Sequence, residues 1–176
     1  MMSDADAMNL GLLILRVSVG SIMLAHGWNH VFGGGKIAGT AGWFTSLGMK
    51  PGILHAWLAS ITEIGAGVLL ILGLLTPLAA AGVVGTMGVA WITNHRSNGF
   101  FIFRPGEGWE YVMSLTVSGA ALAMVGPGEW SLDAQHETLA GLSGATGALL
   151  ALGGALSAGL LLAAFWRPEA DPTAKG

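Results

Sequence analysis

Five apolar runs, each about as long as a membrane crossing, set the limits on what this chain can fold into. They cover roughly residues 10–30, 54–75, 78–94, 109–125 and 139–165. About 20 such residues span the hydrocarbon core of a bilayer. In lipid every backbone N–H and C=O must be satisfied within its own segment, so each run is expected to be a helix. Composition agrees. With 53% hydrophobic residues, 10% charged residues and a mean hydropathy of +0.67, the 176 residues carry too few charges for a water-soluble domain. The expected fold class is all-α: a polytopic membrane helix bundle forming a single membrane domain over residues 1–176. The length leaves no room for a separate catalytic domain.

Five crossings alternate the connecting segments between two faces. One face receives Lys36, Lys50, Arg96, Arg104, Arg167 and Lys175, six of the seven Lys and Arg residues. The other receives the N-terminus, the Thr76-Pro77 turn and the 126–138 segment, which carry none. Positive residues are retained in the cytoplasm, so the chain is expected in the inner (cytoplasmic) membrane with its N-terminus outside and its C-terminus inside. Tryptophan placement points the same way. Trp28, Trp57, Trp91, Trp109 and Trp166 fall near the expected cytoplasmic boundary, and Trp130 alone marks the outer one.

Several functions are excluded or made unlikely by what is missing. The chain has no cysteine, so by itself it cannot hold an iron–sulfur cluster through thiolates or exchange a disulfide. A redox role needs a bound cofactor, a quinone or a partner subunit. No basic stripe suggests nucleic acid. Asp4 and Asp6 stand where a secretory signal has a basic region, so the first run is read as a retained helix.

The 29 glycines are concentrated inside the runs: Gly82, Gly85 and Gly88 in the third, Gly141, Gly144, Gly147, Gly153, Gly154 and Gly159 in the fifth. Small residues at helical spacing let helix backbones approach in lipid, within the bundle or against another membrane subunit, for which the fifth run is the preferred face. Trp43, Phe44 and Leu47 suggest a short helix lying in the interface. Phe100-Phe101-Ile102-Phe103 is too short to cross, and is expected to dip into the leaflet or fold over the bundle mouth.

The chemically informative residues are the ionisable ones inside the runs: Arg16, His26, His30 and Glu63. Such groups are costly in hydrocarbon and usually face the bundle interior with a partner. At about 1.5 Å per residue, Glu63 lies about 13 Å from the cytoplasmic edge, His26 about 6–7 Å and Arg16 about 20 Å. Glu63 therefore falls between the other two in depth. An antiparallel helix pair is expected to align Arg16, Glu63 and His26 as one polar column, with Arg16 holding Glu63 charged. His26 and His30 are four apart and share a helix face. His55, His95 and Glu110 lie at the same end, whereas His136 is on the other.

Four readings of this cluster stay open. Imidazole and carboxylate suit a transition metal, although the spacing is too loose to assign one. Haem would need axial histidines on facing helices. A quinone or similar ring compound would draw hydrogen bonds and protons from His and Glu. Last, the column is a structural network fixing helix register.

Local motifs add a resemblance. Leu15-Arg16-Val17-Ser18-Val19-Gly20 followed by Ala25-His26-Gly27 resembles the opening helix of the DoxX family of small membrane proteins. Glu63-Ile64-Gly65-Ala66-Gly67 running into Leu72-Gly73-Leu74-Leu75-Thr76 is similar to its second helix. His95 with Gly99-Phe100-Phe101, then Glu110-Tyr111, resembles the segment joining helices three and four. Gly126-Pro127-Gly128-Glu129-Trp130-Ser131-Leu132-Asp133 is similar to its closing motif. The resemblance covers about residues 10–133. It implies a four-helix core there, with the run at about 139–165 as an additional C-terminal transmembrane helix. It also implies membership in membrane oxidoreductase systems linked to thiosulfate:quinone chemistry or oxidative-stress defence.

The expected function is a small membrane subunit of a quinone-linked or redox-defence oxidoreductase. Glu63 and His26 would handle protons, and Arg16, His30, His95 and Glu110 would bind the cofactor, the last two lining the entrance. The alternative is a non-catalytic accessory subunit that holds a larger respiratory-type complex together. Transport is a weaker third option, since no inverted repeat is visible.

Overall fold

The computed structural model describes residues 2–136, 139 and 141–168. Among the described residues six α-helices are complete: α1 (Asp4–Phe32), α2 (Lys36–Ser46), α3 (Gly52–Leu72), α4 (Thr76–Ala90), α5 (Glu110–Val125) and α6 (Ala145–Phe165). No strand occurs among the described residues. Helix α4 runs on into a π-helical turn, Trp91–His95, and a short 3-10 turn follows α5 at Asp133–Gln135. Four segments are long and apolar enough to cross a membrane: α1, α3, α4 with its π turn, and α6. Helix α5 is apolar but has 16 residues, about 24 Å at 1.5 Å per residue. The chain is a polytopic helical membrane protein, with the shorter α5 packed among the four long segments and α2 lying across one end.

Helix boundaries follow local chemistry. Ser3 caps α1 by accepting from the Asp6 N–H at 3.1 Å, while the Asp6 carboxylate reaches back to the Ser3 N–H, so the helix starts six residues earlier than the apolar run. Pro77 sits in the first turn of α4, where its missing N–H costs nothing. The fifth run was expected from 139, but α6 begins at Ala145. Gly144 has φ 65° and donates to the Met124 carbonyl at 2.7 Å, turning the chain back from α5. Glu137, Thr138 and Ala140, and the tail from Glu169 that includes Lys175, lie outside the described residues.

Helices α1 and α3 cross closely. A Cβ on Gly27 would come within 3.0 Å of the Cβ of Glu63, so only glycine lets α1 lie this near the carboxylate-bearing turn. The main core joins α1, α3, α4 and α5 through Val19, Met23, Leu70, Val83, Val112 and Leu122. A second cluster of Phe44, Met49, Ala56 and Leu162 seats α2 and the following segment on α3 and α6. The end of α6 is pinned there as well: the Trp166 indole donates to the Leu47 carbonyl at 2.9 Å, and the Arg167 N–H donates to the Gly48 carbonyl at 2.8 Å.

The glycines of α6 divide between the bundle and its outside. Gly147 lies against the backbone of Ala123 in α5, and Gly154 against Ala81 in α4. The face of α6 left outward carries Leu149, Leu152, Leu156 and Leu160. The smooth stripe of the fifth helix thus packs in part inside its own bundle, through Gly147 and Gly154, while Gly153 and Gly159 are open.

Candidate functional site

The bundle has two polar ends. At one lie the N-terminal end of α1, the α3–α4 turn and residues 126–136 and 141–144. The other, here the histidine end, holds α2, the π turn and the 96–109 loop. A cavity of about 210 Å³ opens at the histidine end between α1, α3, α4 and α5, with α2 and Leu161 of α6 closing its sides.

Glu63 stands on the wall of this cavity and is 4% exposed. Its Oε2 lies 3.3 Å from Nδ1 of His30, off the line of a hydrogen bond, and neither atom has any other partner among the described residues. His55, 2% exposed, also lines the cavity and leaves Nε2 unpartnered. A buried polar group without a partner costs about 1–3 kcal/mol, so three on one wall need a reason. Around them, Trp43 packs edge-on against Phe44 at 5.1 Å, and Phe165 against His55 at 5.2 Å. Three open hydrogen-bonding atoms in an aromatic surround make a site for a small, largely apolar molecule with polar edges.

The mouth is more fully bonded. Tyr111 Oη lies 2.9 Å from Nε2 of the exposed His26, closing one side. His95 donates from Nδ1 to the Glu107 carbonyl at 3.0 Å and accepts at Nε2 from Asn94 at 3.2 Å, so both ring nitrogens are engaged. The π turn brings Asn94 and His95 to the cavity rim, a placement an uninterrupted α-helix would rotate away.

Two expected site residues lie elsewhere. Arg16 does not meet Glu63. Its guanidinium turns to the opposite end, where Nη1 donates to the Leu70 carbonyl at 3.1 Å and Nη2 to the Trp130 carbonyl at 2.5 Å. The reason is the direction of side chains on a helix, which lean toward its N-terminus. Because α1 and α3 are antiparallel, Arg16 and Glu63 lean apart, whereas His30 and Glu63 lean together. Counting depth at the backbone hid this. Glu110 does not line the entrance either. Its Oε1 accepts from the Ile102 N–H at 2.9 Å and ties down the apolar 100–103 turn, and Glu107 lines the cavity in its place.

Arg16 belongs to a separate cluster. Asp133, 0% exposed, accepts at Oδ1 from the Leu75 N–H (2.7 Å) and at Oδ2 from the Thr76 N–H (2.8 Å), capping α4. Asn9 on α1 donates to the Glu129 carboxylate at 3.0 Å and accepts from the Glu129 N–H at 2.9 Å. The 126–133 segment is therefore a clasp across the ends of α1, α3 and α4.

Sequence reasoning left His55, Tyr111, Trp43 and Asn94 out of the site. A signal for His55 was available: His55, Ala59 and Glu63 occupy an i, i+4, i+8 row along α3, and all three line the cavity. Nothing in spacing alone points to Trp43 on α2, which reaches the cavity only because α2 folds back under α1 and α3. Among the described residues, no group of three or more His, Cys, Asp or Glu side chains is placed to hold a metal ion.

The family model described as DoxX matches residues 11–96 of the chain. The inner membrane protein YphA of Escherichia coli (strain K12) is 32% identical over 125 residues, which is 69% of this chain and 87% of that protein. No solved structure matches the chain.

Proposed function

The chain belongs to the DoxX family, and from this premise we propose that it is an inner-membrane subunit that binds a quinone-type ring at the histidine end, within a quinone-linked or redox-defence oxidoreductase system. The observation that carries the reading is the set of three unpartnered buried atoms, Glu63 Oε2, His30 Nδ1 and His55 Nε2, around one cavity. A cavity of about 150 Å³ takes up benzene in an engineered protein core, so about 210 Å³ suits one substituted six-membered ring. The donor set fits too: imidazole N–H groups match carbonyl acceptors, and a carboxyl beside an imidazole can pass a proton.

A quinone supplies two carbonyl acceptors and takes up two electrons and two protons on conversion to the quinol. The chain's own residues account for binding and for protons. His55 Nε2–H donates to one oxygen of the ring. Glu63 and His30 hold a proton between them facing the other. Tyr111 with His26, and His95 with Asn94, keep bulk water from the mouth. The chain has no thiolate to hold an iron–sulfur cluster, so electrons come from another bound cofactor or a partner protein. We place the histidine end in the cytoplasm on the charge asymmetry, since Lys36, Lys50, Arg96, Arg104 and Arg167 all lie there.

The test is calorimetric titration of the purified chain in lipid nanodiscs with a short-tailed quinone, together with extraction of the native lipid. The expected result is saturable binding that weakens about tenfold in Glu63→Gln, the value of one hydrogen bond to a charged group. No co-purifying quinone, together with identical titrations for the two proteins, refutes the reading.

A further inference from the structure

A second concavity, about 460 Å³, runs along the outside of the bundle between α4 and α6, with Thr62 of α3 on its edge. Its floor is Gly82 and Gly85 of α4, and its far wall is Leu149, Gly153 and Ser157 of α6. From Leu78 to Val89 it follows α4 for twelve residues, about 16 Å. It shares a wall with the polar cavity: Thr86, Val89 and Leu161 line both. These three residues form a threshold with buried, unpartnered Glu63 and His55 on one side and an aliphatic slot open to the bilayer on the other.

We propose that the slot is the tail-binding half of the same site, and that the ligand is an amphiphile with a polar ring head and a long hydrocarbon tail, entering sideways from the bilayer across this threshold. The inference rests on the ring-binding reading above and adds the tail and the route. The chemistry of the slot is one-sided. Ser157 spends its hydroxyl on the Gly154 carbonyl at 2.7 Å, Thr62 and Thr86 add two hydroxyls at the edge and the threshold, and the rest of the lining is aliphatic or glycine, so the slot offers a ligand mainly apolar contact. The cavity adds the unpartnered hydrogen-bonding atoms of Glu63, His30 and His55 and has too little volume for a tail. A molecule satisfying both must be polar at one end and aliphatic along the rest. Bilayer access also follows from position, because the slot lies along two membrane-crossing segments and Leu78 and Leu149 on its rim are exposed.

Gly153 provides the test. A Cβ there meets nothing within 4 Å, so Gly153→Phe, or the smaller Gly153→Leu, fills the slot without pressing on the bundle. Two probes are titrated into the full chain in nanodiscs: a quinone with one isoprene unit, and the same ring with a decyl tail, both referred to their concentration in lipid. In the wild type the decyl probe is expected to bind at least about tenfold more tightly. In both variants that advantage is expected to fall to about twofold or less, with the short probe unchanged. A photoreactive group at the tail end is expected to label peptides from residues 78–85 or 149–157. An equal affinity of the two probes in the wild type, or a tail advantage that survives both variants, overturns the slot and leaves the ring site standing. If neither probe binds, both readings fall. Labelling confined to other helices shows the slot to hold bilayer lipid only, and overturns the proposal.

Discussion

The two polar ends of this bundle hold buried charge in opposite ways. At the N-terminal end, Arg16 donates to three carbonyls and Asp133 accepts from two backbone amides, although Arg16 Nε and Thr76 Oγ1 stay unpartnered. At the histidine end, Glu63 and His55 are almost as deeply buried, yet each keeps an atom without a partner and turned to a cavity. The same kinds of residue thus serve different ends. A charge whose hydrogen bonds close on the backbone fixes the chain. One left open toward a cavity is available to something else, at a cost in stability until that partner arrives.

Substitutions should separate the two ends by sign as well as size. The largest effect is expected from Arg16→Ala, which strands the Leu70, Ile71 and Trp130 carbonyls and leaves Asp133 without a nearby cation. A loss of about 3–5 kcal/mol is expected, read as failure to recover a monodisperse protein in detergent. Asp133→Ala removes the cap of α4 and exposes two amide donors to a dry interior. It should cost about 2–3 kcal/mol and lower the thermal midpoint in detergent, with ring binding retained in whatever folds. Glu63→Gln should do the reverse. Replacing an open carboxyl by a neutral amide of the same shape leaves stability unchanged or raises it by about 1 kcal/mol, while ring affinity falls about tenfold. A thermal midpoint that drops as far as in Asp133→Ala would erase the contrast between the ends. Tyr111→Phe gives the smallest change. It cuts one bond at the edge of the cavity, worth about 0.5–1.5 kcal/mol, and should weaken ring binding no more than about tenfold with the fold intact by circular dichroism.

The crossings were readable because hydropathy, proline and glycine act locally. The run at 109–125 and the helix Glu110–Val125 differ by one residue, with Gly126-Pro127-Gly128 as the stop. The gathering of His26, His30, His55, His95 and Glu63 at one end was equally readable, since residue counting along a straight helix is enough. Which of them meet was not. Glu63 was paired with Arg16 on the depth of their Cα atoms, and the lean of each side chain toward its own helix N-terminus carries the two apart by about the length of the side chains themselves. Glu110 was placed at the entrance from sequence position, and instead it holds the apolar 100–103 turn.

The primary structure was sufficient for an all-helical membrane bundle with four of its five histidines gathered on one side, because hydrocarbon leaves the backbone a single way to satisfy itself and residue spacing translates directly into depth. The three-dimensional arrangement alone settled that the Gly126–Asp133 segment closes over Arg16, that α2 and the π turn complete the cavity, and that Glu63 faces His30. Those outcomes depend on helix crossing, side-chain direction and loops returning across the bundle ends, and none of them is a property of any one segment.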